Sequence, residues 1–347
     1  MTAKLILTLG PGTSPQAHGD VVVLDWNKRE IIDAHRYTHR VYQQSHKGLS
    51  GASWHGPNLL VATEAELLEF EVAPLRVVNN HTFGFLNDVH HLVATDDRIW
   101  ICNSGADCVE ELNPQWQPVE THHLVRRFGR QPAELLRLMR DDARKSWWRL
   151  RGRYDFYTHL TDRPAFRNVV KLLDEKAYRK NGRELRYSDL RPHVLHPNHL
   201  QAMGDDLWIT LWRPGKIVSL RNGKTLVSQL GRPHDGIAFG DEFYVTDCQD
   251  NRLLVFEFDQ ATLTIGERIA EKTVTDTIEQ GFLRGVCVKD DTVFVGLTAR
   301  RGAPANARSA RVVALDRRTW NVRDEWAVPQ EFGLNIFSIL DAGSAYQ

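Results

Sequence analysis

At 347 residues the chain is long enough for two average domains, but repetitive β architectures often exceed the usual single-domain length, so length alone forces no division. Lys and Arg balance Asp and Glu at 44 each, which removes any global field for nucleic acid, an anionic membrane or an acidic partner. With 42% apolar residues and 10 Trp there is material for sizeable cores, and no apolar run approaches the roughly 18 residues of a membrane span.

The N-terminal MTAKLILTLGPG carries an apolar run of about five residues before Gly and Pro, too short for the core of a signal peptide. Cys102, Cys108, Cys248 and Cys287 lie inside or beside apolar runs without CxxC spacing. They read as small buried hydrophobes in a reducing compartment, and a cytoplasmic protein is expected. KLILTLG at 4–10 and DVVVLDWNKREIIDAHRY at 20–37 predict strands with no inner partner of their own. GPGTSP between them lacks the Lys of a phosphate loop, and no nucleotide cofactor is expected. His35 and His39 suggest no role.

One phrase then recurs: VHHLVATDDRIWICN at 89–103, PNHLQAMGDDLWITL at 197–211, PHDGIAFGDEFYVTD at 233–247 and LRGVCVKDDTVFVGL at 283–297, with a weaker copy, SGASWHGPNLLVATE, at 50–64. Each copy has a polar head, an apolar run, a turn on Asp or Gly, and a second apolar run. It is one β-hairpin written repeatedly, which is the mark of a β-propeller. Aligned on Trp100, Trp208, Tyr244 and Phe294, the copies place Ser50, His90, Asn198, His234 and Arg284 at one head position. His91, His199, Asp235 and Gly285 follow them. Pairing GLNIFSIL at 333–340 with the N-terminal strands closes the ring and hides its edges. The expectation is an all-β, six-bladed β-propeller closed by its N- and C-terminal strands, a single domain over 1–347. Seven blades would require one hidden in the long step from His90 to Asn198.

That step contains a segment of different texture, read as a partly helical insertion over 118–195. Leu135, Met139, Ala143, Trp147 and Leu150 recur at helical spacing, predicting an amphipathic helix that serves as a lid or a dimer arm. Ten basic side chains between Arg126 and Arg153 make RNA or membrane-surface binding a further hypothesis, although the neutral remainder of the chain favours neither. NSGAD at 103–107 reads as turn residues, and ARRGAPANARSAR at 299–311 as a polar basic loop.

In a propeller the first residues of every inner strand meet at the axial mouth, which brings together Asn87, Asp88, His90, His91, His196, Asn198, His199, His234, Asp235, Arg284 and Asn335. Because neighbours on a strand point to opposite faces, only one of His90 and His91 is expected to face the channel. His90 or His234 would serve as general base or metal ligand, Asp235 would orient an imidazole or ligate, and Arg284 would hold a carboxylate or phosphate. Asn87, Asp88, His91, Asn198 and Trp212 complete the expected substrate contacts. Three imidazoles, from His90, His199 and His234, suit a divalent metal, zinc before calcium. Polar strand heads also serve structure alone, by bonding to water, to each other or to the next blade. The head residues differ from copy to copy, however, and that variety suits an asymmetric ligand.

LNDVHHL, NSGADCVEEL, HPNHL and RPHDGI resemble a family of mostly uncharacterised bacterial six-bladed propellers with NDxHH, NTGxD and PHDG phrases. More distantly the chain resembles gluconolactonase and paraoxonase propellers, which implies a calcium held through Glu, Asn and Asp. Asn198 and Asp235 match two such positions, but no Glu stands at a strand head. The His-rich mouth is similar in site type to zinc-bearing propeller lyases that cleave hydroxyglycine peptides. The expected function is a hydrolase or lyase acting on a small anionic molecule. The alternative is a non-catalytic scaffold that binds a protein or small ligand.

Overall fold

The computed structural model describes residues 3–11, 18–40, 47–128, 195–275, 281–299 and 309–346. They form six four-stranded antiparallel sheets, each a blade. In blade one the C-terminal strand Asn335–Asp341 is innermost, followed outward by Lys4–Gly10, His18–Asp25 and Glu30–Thr38. The two ends of the chain therefore close the ring, as the unpaired strands predicted. The other inner strands are Leu49–His55, Val89–Ala94, Pro197–Met203, Pro233–Phe239 and Phe282–Lys289, in blades two to six. Each inner strand touches the next around an unbroken circuit of six, with no gap for a seventh.

Turn chemistry explains the hairpins. Gly56, Gly204, Gly240 and Asp290 each open a two-residue connection between the inner strand and its neighbour, and all have positive φ, from 52° to 62°. Only such turns carry the right-handed twist of the flanking strands, and Gly or Asp adopts them at little cost.

The core is divided into six clusters, one for each pair of adjacent blades. Between blades four and five, for example, Phe243 lies 5.6 Å from Trp208 and 6.4 Å from Phe258, ring centre to ring centre. Since every blade buries both faces against its neighbours, the ring behaves as one unit.

The stretch read as an insertion opens inside the propeller. Pro118–His123 is the outer strand of blade three, with Cys108 paired to His123, and a short helix, Leu124–Phe128, buries Leu124 and Val125 in the core between blades three and four. The predicted amphipathic helix, most of the basic run and any dimer arm there lie outside the described residues. No described helix is long and apolar enough to cross a membrane.

Candidate functional site at the mouth of the propeller

All six inner strands lose register with their neighbours at the head, at Ser50 and Gly51, at His90, at Asn198, at His234 and Asp235, at Gly285 and at Phe337. Each irregularity inserts extra backbone at the channel rim, as β-bulges do when they re-aim side chains beside a site. His90 and His91 are both buried and take different partners, His90 beside His196 and His234 and His91 against His199.

The second residue of each head ties blades together. His91 accepts the backbone N–H of Leu200 through Nδ1 at 3.4 Å, and its ring lies 4.0 Å from that of His199. Asp235 Oδ2 accepts from Gly285 N at 2.8 Å and from Thr246 Oγ1 at 2.5 Å. Ser338 Oγ accepts from Ala52 N at 3.3 Å. Where blade two presents Gly51 at this level, a Cβ would come within 2.4 Å of His91 Cα, so glycine makes room for the imidazole.

Of the first residues of the heads, Ser50 is absorbed into the structure, its Oγ donating to the carbonyls of Ala62 at 3.1 Å and Val89 at 3.0 Å, whereas His90 and His234 come together. The ring of His90 lies 4.7 Å from His196 and 6.1 Å from His234, on blades four and five. His234 Nδ1 is 3.3 Å from Asp235 Oδ2, in ion-pair range but off the line of a good hydrogen bond. Lys47, which the sequence reading did not weigh, contacts both Asp88 Oδ1 and His90 Nε2 with its ammonium. Its signal lay three residues before the Ser50 head, the place Asn87 holds in blade three.

Asp88 and His196 each immediately precede an inner strand and hold φ of 56° and 53°. This left-handed region is costly for a residue with a Cβ, and a residue before proline, as His196 is, favours extended backbone. The hydrogen bonds around them hold the strain: Asp107 Oδ1 accepts the backbone N–H of Leu195 at 2.9 Å and of His196 at 2.7 Å. Asn87 is fixed through its main chain, its N–H donating to Asn103 Oδ1 at 2.8 Å and its carbonyl accepting from Gly105 at 2.9 Å. NSGAD, expected to be a simple turn, is thus the scaffold of this part of the mouth.

At the rim, half-buried Trp212 lies 5.2 Å from the His196 ring and 4.9 Å from the Arg232 guanidinium carbon. The Arg284 guanidinium sits 5.3 Å from the Phe337 ring and 5.8 Å from that of Phe282. At the heads, buried His90 Nδ1, Asn198 Oδ1, His199 Nδ1, both ring nitrogens of His234, Arg284 Nε and Asn335 Nδ2 find no hydrogen-bond partner among the described residues. A buried orphan costs about 1–3 kcal/mol, so a concentration of them at the heads is what a mouth that takes up a ligand or water shows.

Burial pushes the imidazoles away from their charged form. His90 is lowered to about 3, first by desolvation and then by the Lys47 ammonium, and His199 is lowered to about 4, mainly by desolvation. His91 falls well below its ordinary range and His234 is also lowered, in both cases chiefly by desolvation; Asp235 partly offsets this at His234. Burial pushes Asp235 up, but attraction to His234 and its hydrogen bonds outweigh that and leave its carboxyl below the usual range. Burial therefore favours the neutral form of these four imidazoles, beside the carboxylates of Asp235 and Asp88.

Among the described residues, the mouth groups whose ligand atoms lie within 4.8 Å of one another are Asp88, His90 and His196. The expected combination of His90, His199 and His234 does not form such a group; the His199 ring packs 4.0 Å from that of His91 instead.

No known family and no curated protein matches the sequence. Among solved structures, a protein of unknown function from Bacteroides caccae is similar over 98% of both chains, with 11% identity and a TM-score of 0.57. A chain of a nidogen/laminin complex is similar at 12% identity over 98% of this chain and 99% of that one, TM-score 0.55. A candidate 6-phosphogluconolactonase from Bacteroides uniformis is similar at 10% identity over 94% and 84%, TM-score 0.51. At these identities the likeness is one of fold alone.

Proposed function

We propose that the protein is a small-molecule enzyme of the hydrolase or lyase type whose substrate is an anion bound at the axial mouth. The observation that carries this reading is the pair His90 and His234, 6.1 Å apart between ring centres, each with a buried nitrogen that has no hydrogen-bond partner among the described residues. With Asp235 beside its Nδ1, His234 keeps its Nε2 unprotonated and takes a proton, from water in a hydrolysis or from a carbon in an elimination. Asp235, 3.3 Å from Nδ1, stabilises the imidazolium that forms. His90, too weak a base for that task, donates from Nδ1 to the oxygen on which charge develops. Arg284 holds the carboxylate or phosphate of the substrate, with its guanidinium steadied by Phe282 and Phe337. The four cysteines are buried and free, which suits work in a reducing interior.

A metal-assisted version, which requires Lys47 to leave Asp88 and His90, rests on Asp88, His90 and His196, an oxygen and two nitrogens that suit zinc better than calcium. The experiment that tests the main reading is a turnover screen of lactones, anionic esters and β-hydroxy acids, with His234→Ala beside the wild type. Turnover by the wild type, reduced in the variant by on the order of 10²–10⁴, supports it. A wild type that binds small anions but turns none of them over points to the non-catalytic scaffold instead.

A further inference from the structure

We infer that Lys47 occupies the cation position of the mouth, so that the Asp88, His90 and His196 group excludes a divalent metal until that ammonium is removed. The inference deepens the proposed function and rests on the mouth being the working site.

Two of the three groups that could ligate an ion already face Lys47 Nζ: Asp88 through Oδ1 and His90 through Nε2. Their side chains are 2% and 4% exposed, and that of Lys47 is 10% exposed. An ion bound by the same atoms would lie against the ammonium in a place where water screens little, and like charges at that distance repel strongly. The main chain of Lys47 is packed against Gly10, where a Cβ would come within 1.7 Å of the Lys47 carbonyl oxygen, so the start of the side chain is fixed. Asp88 is thereby neutralised by the chain itself, as a buried carboxylate requires.

The same contact fixes a tautomer. An ammonium has only protons to give, so His90 Nε2 accepts and the ring proton sits on Nδ1. Nδ1 is the buried nitrogen without a protein partner. Lys47 therefore positions His90 as a hydrogen-bond donor toward the ligand, which selects an oxygen anion or carbonyl over a cation.

The test uses Co²⁺, a visible-absorbing substitute for zinc, titrated into untagged full-length protein. Wild type and the charge-conserving Lys47→Arg are expected to take up none at the mouth. Lys47→Met is expected to bind one equivalent with tetrahedral absorption, lost again in Lys47→Met combined with His90→Ala. Stoichiometric uptake by the wild type that disappears in His90→Ala overturns the inference, and so does a folded Lys47→Met that takes up none. Should Lys47→Met fail to fold, ¹⁵N spectra of the wild-type imidazoles decide: Nδ1–H on His90 supports the assignment and Nε2–H overturns it. Neither readout depends on turnover, so an inactive protein that excludes Co²⁺ refutes the proposed function and leaves the resident cation standing.

Discussion

Asp107 binds the chain at both Leu124 and His196, which 71 positions of sequence separate. Its carbonyl accepts the N–H of Leu124 at 3.1 Å, where the chain leaves blade three, and its Oδ1 accepts the N–H of His196 at 2.7 Å, where the chain enters blade four. One residue in the left-handed conformation, at φ 52°, thereby joins two points of the chain and sets the backbone of a mouth histidine.

Asp107→Ala leaves the N–H groups of Leu195 and His196 without their acceptor. At about 1–3 kcal/mol for each buried donor, a clear fall in the urea midpoint is expected. Unchanged stability would mean that the side-chain clamp contributes nothing.

Asp235→Asn tests the pairing with His234. The amide no longer favours an imidazolium and no longer accepts as an anion from Gly285 and Thr246. Turnover is expected to fall by on the order of 10² or more, with a loss of stability alongside. A variant with full activity would remove Asp235 from the mechanism.

Acid should unfold the protein early. His90 and His199 have folded values of about 3 and about 4, against an ordinary 6.5. Between those limits the unfolded chain binds more protons than the folded one, so stability falls as pH drops below about 6.5 and keeps falling toward pH 4. Asp235, held low in the folded state, adds a loss at still lower pH as its carboxylate is protonated. Denaturant midpoints at pH 7.5, 6, 5 and 4 check this; a flat profile across that range would contradict the burial of neutral imidazoles.

Phe243 is fully buried between blades four and five. Phe243→Ala is expected to cost about 3–5 kcal/mol, read as a lower urea midpoint of one cooperative transition. Two separate transitions would show that the blades do not unfold together.

Gly51→Ala probes the bulged ring directly, since the new methyl meets the His91 backbone. Because backbone has to shift to admit it, a lower urea midpoint is expected. Unchanged stability would mean that the heads relax independently.

The propeller was legible because its evidence is local and repeated. Hairpin turns on Gly204, Gly240 and Asp290, and the aligned Trp208, Tyr244 and Phe294, follow from backbone twist and side-chain period, which the sequence displays directly. The polar heads were also legible as a group, since an inner strand's first residues have only the mouth to face. What remained hidden was which residues pair there. His199 turns to His91, Asp88 meets Lys47, and Asp107 holds His196, because bulges break the period of two and because blades distant in sequence are adjacent in space.

The sequence by itself thus determined the hairpin, its recurrence and the closure of the ring, all properties of short-range pattern and of faces that must be buried. Only the tertiary structure decided the chemistry of the mouth. Contacts such as Lys47 with His90, 43 residues apart, exist solely because six strands converge on one axis.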